Sequence, residues 1–418
     1  MGVSSTRERN IKPTYRLSLS IYGRLIEMKS LFENTQIAFA SKSDAELKKS
    51  FVLFKLISSP VLTKVGSAFI QFLIKVGLPI NFLVRKTMFD HFCVGTTLEE
   101  SEITVKKLRA NDIDSCLNFS IEGINSEVGF DATLNEILRT MDASSPDAGT
   151  PFVVFKPTGY GATALFEKVS AKLPLSTEEN KAWGRVKERF HSSCKKAVQR
   201  NLKLLIDAEE SWIQPALDHL LEEMMATYNQ KEVVVYATLQ LYLSERLPYL
   251  KTLIEKSKKE GYQIGVKLVR GAYIEKETAR ALDHKLPNPV CPSKEATDQN
   301  FDNGLQLLLE NLDKAAVFVG SHNELSTLKA MEQMKQNGIA SNHPRVCFSH
   351  LFGMSDNISY NLSDQGYNVV KYLPYGPVKK VIPYLIRRAE ENSSIASQTS
   401  REMELLRSEI KRRKQVQK

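Results

Sequence analysis

The pattern of apolar and polar residues changes at about residue 115. From there on, short apolar runs alternate with longer segments whose apolar residues recur at helical spacing, as in 211–230 and 323–338. Short runs rich in β-branched and aromatic residues are typical of buried strands. The pattern predicts strands at 116–121, 152–156, 202–209, 233–237, 264–270, 315–321, 345–350 and 368–373.

The alternation of strands and helices predicts a parallel sheet covered by helices on both faces. Eight such units predict an α/β fold of the closed (β/α)₈ type. An open doubly wound sheet is the alternative, but no G-x-G-x-x-G sequence follows the first strand to support a dinucleotide site of the usual kind. The segment 158–201 is longer than a simple connection requires, and it predicts a helical insertion.

Residues 1–110 are predicted to form an N-terminal helical region. Its most apolar part, 51–84, is interrupted by lysines at 55, 64 and 75. No charge-free run therefore approaches the ~20 residues that a membrane-spanning helix needs. The segment suits a bilayer surface or a partner protein instead. The first 30 residues are basic enough to suggest a weak mitochondrial presequence.

The composition is that of a soluble globular protein, with 42% hydrophobic and 25% charged residues. The net charge of +9 arises partly in 411–418, where a solvated end is expected, so nucleic-acid binding is not favoured. The five cysteines are scattered, without C-x-x-C or metal-ligand spacing. This usage favours a reducing compartment and gives no indication of a metal site.

The fifth predicted strand contains two cations that are unusual in a core strand. Lys267 and Arg270 alternate with apolar residues in "GVKLVRGAY", 265–273. Basic side chains are almost never fully buried without a partner, because removing a charge from water is costly. Either an anionic or electron-rich group lies at the strand end, or the strand is partly exposed and both side chains reach water along their aliphatic stems.

In a closed barrel, the polar residues at the carboxyl ends of the strands converge on one mouth, where such folds carry out their chemistry. Each such residue also has a structural explanation, for example as a helix cap or a core tyrosine. The polar strand-end residues are Lys156, Asp207, Glu209, Lys267, Arg270, Ser321, His322, Asn323, His350 and Tyr372.

A second candidate site lies in "YLIRRAEEN", 384–392. Arg387 and Arg388 are adjacent, and an arginine pair can bind a carboxylate or phosphate with fixed fork geometry. The alternative, which the sequence alone favours, is that both arginines pair with Glu391 on a solvated helix face.

Three longer blocks of the sequence are "GVKLVRGAYIEKE" (265–277), "HLFGMSDNISYNL" (350–362) and "VVKYLPYGPVKKVIPYLIRRAEEN" (369–392). They resemble the signature sequences of the proline dehydrogenase (proline oxidase) family in its eukaryotic mitochondrial form, with a fungal source expected. Weaker matches at 119–123, 204–211, 236–243 and 321–326 keep the family's order. The resemblance implies a barrel domain over 111–395 followed by a basic tail at 396–418.

The resemblance implies a distorted TIM-like barrel whose final helix lies over the barrel mouth. It also implies an FAD flavoprotein of proline catabolism, which oxidises L-proline to Δ1-pyrroline-5-carboxylate by hydride transfer from C5 to flavin N5. The implied electron acceptor is ubiquinone, and the implied location is the matrix side of the mitochondrial inner membrane.

Individual residues receive roles through the same resemblance. Lys267 matches the position that faces flavin N5, and Arg387 with Arg388 matches the pair that holds the proline carboxylate. Lys156 would be a further cation and Asp207 an acid near the substrate. The remaining implied substrate contacts are Tyr273, Leu351, Tyr372 and Tyr384, and the implied cofactor contacts are Gln240, Arg270, Ser321, His322, Asn323 and Glu391.

The chain departs from the family pattern at Pro157, which leaves the aim of Lys156 open. Tyr372 is retained where relatives that oxidise 4-hydroxyproline carry a smaller residue, so proline is favoured and 4-hydroxyproline is the alternative substrate.

Two further hypotheses come from other classes of protein. A barrel enzyme would use Lys156 or Lys267 to form a Schiff base with a carbonyl substrate. A binding protein would use the basic tail to hold anionic lipid or nucleic acid, whereas the flavin hypothesis predicts that deletion of 396–418 leaves soluble turnover largely intact.

Overall fold

Eight parallel strands close into a barrel in the computed structural model, which describes residues 30–75, 84–121, 123–394 and 396–416. Each strand pairs with the next, and the first pairs with the last, with Cys116 opposite Tyr372. This closure confirms the barrel and excludes the open sheet. The strands are β1 (Ile113–Phe119), β2 (Phe152–Phe155), β3 (Lys203–Ile206), β4 (Val235–Gln240), β5 (Ile264–Val269), β6 (Ala315–Gly320), β7 (Val346–Leu351) and β8 (Val369–Tyr375).

Every predicted strand overlaps an observed one, because these strands are buried on both faces. Residues that point outward, such as Val266 and Leu268, pack beneath the surrounding helices. Residues that point inward, such as Val154, Leu205 and Phe318, fill the barrel interior. A strand that is buried on both faces gives a continuous apolar run in the sequence, which is why these runs predict the strands correctly.

Helices lie before, between and after the strands. They are α1 (Asp44–Ile57), α2 (Pro60–Lys75), α3 (Leu98–Arg109), α4 (Glu127–Ala143), α5 (Thr163–Ser170), α6 (Thr177–Gln199), α7 (Gln214–Tyr228), α8 (Arg246–Glu260), α9 (Ile274–Asp283), α10 (Lys294–Leu309), α11 (Glu324–Gln336), α12 (Asp356–Asp364), α13 (Val378–Ser394) and α14 (Ala396–Val416). Short helical turns lie at Ser30–Glu33, Thr35–Ala38, Arg85–Phe89, Asp90–Phe92, Pro157–Gly159 and Ser211–Ile213.

Helix α13 lies over the barrel mouth, as the resemblance implied. It contacts α1, α2 and α14. Its residues Val381, Ile382 and Leu385 are buried in a second core with Phe54 and Phe92 from the N-terminal region. The N-terminal helices therefore hold α13 in place from outside the barrel.

The segment assigned to the basic tail, 396–418, forms a packed helix over most of its length. Helix α14 packs against α1, and its residues Leu405, Leu406 and Glu409 are buried. Two of its exposed basic residues, Lys411 and Lys414, lie in the last turns, and a third, Arg407, lies nearer its middle. Deletion of 396–418 is now expected to expose apolar surface and to reduce turnover, because burial of this helix stabilises α1.

Helices α5 and α6 occupy the predicted insertion at 158–201, between β2 and β3, and α6 buries Phe190 and Cys194 in the main core. That this segment is an insertion stays a prediction. The predicted presequence falls on 1–29, outside the described residues. Among the helices that are described, none has the length and apolar character needed to cross a bilayer.

Candidate active site

A cavity of about 490 Å³ opens at the carboxyl ends of the strands, with α13 forming part of its wall. This volume is in the range of ligand and cofactor sites. The structure brings every residue that the resemblance gave a role to this one cavity, although their individual roles stay predictions. They are Lys156, Asp207, Gln240, Lys267, Arg270, Tyr273, Ser321, His322, Asn323, Leu351, Tyr372, Tyr384, Arg387, Arg388 and Glu391. Of the polar strand-end residues, Glu209 does not line it and accepts hydrogen bonds from Thr158 instead.

The Lys267 side chain is buried and paired. Its Nζ lies 2.6 Å from Asp207 Oδ1 and 4.9 Å from the centre of the Tyr372 ring. Tyr372 donates its hydroxyl to Asp207 Oδ2 at 3.0 Å. Burial and the nearby carboxylate raise the pKa of Tyr372 well above its usual range, so the hydroxyl stays protonated. Strand β5 therefore carries a buried cation because the residue after β3 supplies its counterion.

Arg270 is fixed in the wall between β5 and β6. Its Nε donates to Asp298 at 2.6 Å, and its two terminal nitrogens each donate to a hydroxyl at 2.9 Å, those of Ser321 and Ser326. The guanidinium carbon lies 4.4 Å from the centre of the Phe301 ring. A planar cation held by this many partners can present a fixed edge to an anionic part of a ligand.

Helix α13 contributes Tyr384, Arg387, Arg388 and Glu391 to the cavity. Arg388 is only 9% exposed, lies 2.5 Å from Glu391 and contacts the face of the Tyr384 ring. The prediction of a solvated face is therefore wrong, although the pairing of Arg388 with Glu391 that it invoked is present. Two arginines and one glutamate in this wall leave a positive balance, which suits an anionic ligand.

Lys156, which directly follows β2, and Tyr273, in the loop after β5, come together at the cavity. The Lys156 Nζ lies 3.5 Å from the Tyr273 hydroxyl, and burial raises the pKa of Tyr273 to about 12. The loop turns at Gly271, whose φ is +132° and where an added Cβ would lie 1.8 Å from Tyr242. Only glycine fits at this position, and the turn brings Tyr273 to the cavity.

Several predicted cofactor contacts also have protein partners. Gln240 donates to the Glu209 carbonyl oxygen at 2.6 Å, and the Asn323 side chain caps α11. His322 Nδ1 lies 2.8 Å from Ser355 Oγ. Burial lowers the pKa of His322 to about 3, and positive charges nearby act in the same direction, so the imidazole is neutral at ordinary pH.

Glu402 is a cavity residue that sequence reasoning missed, because 396–418 was assigned to a tail. Its carboxylate accepts a hydrogen bond from the Ser355 backbone N–H at 2.5 Å. Ser355 has a left-handed φ of +51°, which is unfavourable for a residue other than glycine. Glu402 therefore holds a strained turn whose hydroxyl contacts His322, and the helical pattern of α14 was the only sequence signal for it.

Replacing Glu402 by glutamine is expected to flatten part of the pH dependence of stability. Burial, with help from the Asp356 carboxylate, raises the pKa of Glu402 from 4.5 to about 7. The native state thus binds more protons than the unfolded state between these values, so wild-type stability should fall as pH rises through that window. Urea denaturation at several pH values should show that the free energy of unfolding of Glu402→Gln rises relative to that of wild type by on the order of 3 kcal/mol across this pH window.

Asp356, Lys42 and Lys371 are the charged groups that face Glu402, and they remain in the variant. The matched control is Glu404→Gln, because Glu404 is exposed on the same helix. Parallel profiles for wild type and Glu402→Gln would contradict the prediction.

Three buried polar atoms in the cavity wall lack a protein hydrogen-bond partner within the described ranges: Thr238 Oγ1, Tyr384 Oη and Arg388 Nε. Buried polar atoms are nearly always satisfied, so these indicate a polar ligand. Aromatic walls, fixed cations and open donors together fit a flavin and a small carboxylate substrate. No group of His, Cys, Asp and Glu in the part of the chain that was searched could hold a metal ion.

A closed parallel barrel with its cavity at the carboxyl ends of the strands defines the class of β/α-barrel enzymes. A family model described as "Proline dehydrogenase" matches residues 102–401. The chain therefore belongs to the proline dehydrogenase family.

Two relatives and one solved structure show the extent of the similarity. "Proline dehydrogenase 1, mitochondrial" of Dictyostelium discoideum is 31% identical over 426 residues, which cover 91% of this chain and 74% of the relative. "Hydroxyproline dehydrogenase" of Mus musculus is 32% identical over 425 residues, which cover 90% of this chain and 93% of the relative.

The solved structure is that of proline utilization A (PutA) from Bdellovibrio bacteriovorus, inactivated by N-propargylglycine. It matches with a TM-score of 0.72 at 20% identity, over 91% of this chain and 42% of that chain. This chain thus spans less than half of that protein, and the likeness shows a shared fold.

Proposed function

We propose that the protein oxidises L-proline to Δ1-pyrroline-5-carboxylate with a bound flavin, FAD, as the immediate electron acceptor. The observation that carries this proposal is the single cavity in which Arg387 and Arg388 of α13 are joined by the Lys267–Asp207–Tyr372 cluster. Proline is a small apolar ring with a carboxylate, so its site needs cations beside aromatic and apolar walls. Membership in the proline dehydrogenase family supports the same reaction.

The substrate contacts follow from this chemistry. Arg387 and Arg388 would bind the carboxylate through charge-assisted hydrogen bonds, with Lys156 as a further cation. Tyr273, Leu351, Tyr372 and Tyr384 would surround the ring, exclude water and orient C5. These residues line the cavity. They lie on β7, β8 and α13, directly after β2, and in the loop after β5.

FAD, when bound, would supply the hydride acceptor at flavin N5, and proline would lose a hydride from C5 and a proton from its ring nitrogen. Lys267 is a buried cation in the wall, and it would stabilise negative charge on the cofactor without reorganisation. Asp207 holds Lys267 in position. The residues proposed to hold the cofactor are Gln240, Arg270, Ser321, His322, Asn323 and Glu391.

The wider setting is part of the same proposal. The Dictyostelium relative is named mitochondrial, which supports a mitochondrial location, at the matrix side of the inner membrane, and ubiquinone as the final electron acceptor. The barrel domain at 111–395 would be the catalytic unit. The Schiff-base hypothesis loses support at Lys267, because an ion pair with Asp207 keeps this amine from acting as a nucleophile.

An absorption spectrum of the purified protein tests the central proposal. Flavin bands should be present, and anaerobic addition of L-proline should bleach them. The cofactor released by denaturation should be FAD. Protein that stays colourless after added FAD would refute the flavin, and trapping of a substrate with borohydride would then favour the Schiff-base enzyme.

Oxidation of 4-hydroxyproline is the second candidate, because a hydroxyproline dehydrogenase matches nearly the whole chain. Tyr372 is buried, and its hydroxyl donates a hydrogen bond to Asp207. Little room is therefore expected beside the proline ring for the hydroxyl group of 4-hydroxyproline. Tyr372→Ser should shift the ratio of kcat/KM for L-proline to that for 4-hydroxyproline by about tenfold toward 4-hydroxyproline. Steady-state kinetics with both substrates measures this ratio, and an unchanged value would refute the role of Tyr372 in selectivity.

A further inference from the structure

Exposed apolar side chains concentrate on α1 and α2. Six large apolar residues between positions 52 and 69 are 53–70% exposed, and they define the α1–α2 face: Val52, Leu56, Val61, Leu62, Val65 and Phe69. The four on α2 recur at helical spacing, so they form one side of that helix. Exposed apolar residues along one side of a helix often mark a binding face.

The sequence segment that carries this face has charges of one sign, although α1 begins with Asp44 and Glu46. Between Leu47 and Phe89 the sequence has no Asp or Glu, whereas it has seven Lys and Arg. The whole chain contains 48 acidic residues in 418, so a stretch of this length without any is unusual. Lys48, Lys55 and Lys64 are exposed on the same two helices.

Apolar side chains flanked by lysines match the interface of an anionic bilayer. Such a surface offers acyl chains to the apolar residues and headgroup phosphates to the lysines. A protein partner with an acidic rim would match the charge as well, but a helix that presents an apolar side flanked only by basic residues is typical of binding in the plane of a membrane.

The position of α2 relates this face to the cavity. Helix α2 contacts α13, and α13 contributes Tyr384, Arg387, Arg388 and Glu391 to the cavity wall. The α1–α2 face therefore lies on the layer of helices that covers the barrel mouth.

We propose that the α1–α2 face docks the protein on the surface of an anionic phospholipid bilayer. Its apolar residues insert among the headgroups and upper acyl chains, and its lysines bind lipid phosphates. Docking would let the protein transfer electrons to a quinone dissolved in the bilayer, and this part of the inference rests on the proposed function. The docking itself is inferred only from the exposed residues of the α1–α2 face.

Co-sedimentation with vesicles tests the proposal, using phosphatidylcholine with about 25 mol % phosphatidylglycerol and vesicles of phosphatidylcholine alone. Wild-type protein should bind the anionic vesicles, and ~1 M salt should weaken this binding. The double variant Leu62→Asp with Val65→Asp should lower the partition coefficient by at least about tenfold.

The matched control is Ile103→Asp with Leu282→Asp, which adds the same charge at residues that are 76% and 74% exposed on α3 and α9. Its binding should equal that of wild type. An equal loss of vesicle binding in both double variants would show that added negative charge weakens binding wherever it is placed. That result would overturn the assignment of membrane binding to the α1–α2 face.

Absence of wild-type binding, or equal binding to neutral vesicles, would also overturn the proposal. A dimer of the wild type in sedimentation velocity that Leu62→Asp with Val65→Asp dissociates would assign the face to a second copy of the chain. Proline turnover with a water-soluble dye separates the two proposals, because its absence would refute the proposed function and leave the vesicle result unchanged.

Discussion

Asp207→Asn is expected to lower the free energy of unfolding by about 3–5 kcal/mol. Asp207 Oδ1 lies 2.6 Å from Lys267 Nζ, and both side chains are largely buried. Asparagine keeps the size of the side chain and an oxygen acceptor for the Tyr372 hydroxyl. It leaves the Lys267 cation without its counterion in a largely buried position, which is costly. Urea denaturation followed by circular dichroism measures the change.

A double variant separates the two roles of this pair. Asp207→Asn combined with Lys267→Met removes both charges and should recover most of the lost stability, since a buried ion pair is often replaceable by neutral groups. Proline turnover should stay low in the double variant, because the cation proposed to act on the cofactor is absent. The control is Asp142→Asn, an exposed partner of Lys196, with an expected change below about 1 kcal/mol.

Two results would contradict these predictions. A single variant as stable as wild type would show that Lys267 does not depend on Asp207. A double variant with full turnover would remove Lys267 from the catalytic proposal.

Arg388→Met is expected to lower kcat/KM for L-proline by about 10²–10³-fold, mainly through KM, because it removes a charge-assisted contact to the carboxylate. Arg388 lies in the cavity wall, is 9% exposed and has an Nε without a protein acceptor among the residues described. Arg388→Lys should not restore activity, since an ammonium cannot reproduce the planar fork. Steady-state kinetics measures these values, and the flavin spectrum checks that the cofactor is retained.

Pyrrolidine, which is proline without its carboxylate, distinguishes lost substrate recognition from general damage. Arg388→Met should reduce the preference for proline over pyrrolidine, whereas a misfolded site would lose both activities together. Lys380→Met serves as the control, because Lys380 is exposed on the same helix. An unchanged preference in Arg388→Met would exclude Arg388 from binding the carboxylate.

Arg387 and Arg388 illustrate what the sequence pattern can predict and what only the fold can decide. Their adjacency and the spacing from Arg388 to Glu391 are visible in the sequence, and the i,i+3 pair is present at 2.5 Å. The sequence pattern favoured a solvated face, because local spacing says nothing about what packs on a helix. In the structure, α1, α2 and α14 contact α13 from outside, and its arginines point into the cavity.

Glu402 is the reverse case, a buried carboxylate in a segment whose composition is that of a solvated end. No local pattern marks it, since its partner Ser355 lies 47 residues away along the chain. Burial of α14 depends on the N-terminal helix α1, which is separated from it by the whole barrel sequence.

By itself, the sequence determined the strand–helix alternation, the number of strands, the barrel and the set of residues at the strand ends. Those features follow from local periodicity and from apolar runs that are buried on both faces. Only the tertiary structure decided that Asp207 is the counterion of Lys267 and that α14 is a packed helix. The physical reason is that charge pairing and burial depend on neighbours in space, and closure of the barrel brings together residues that are far apart along the chain.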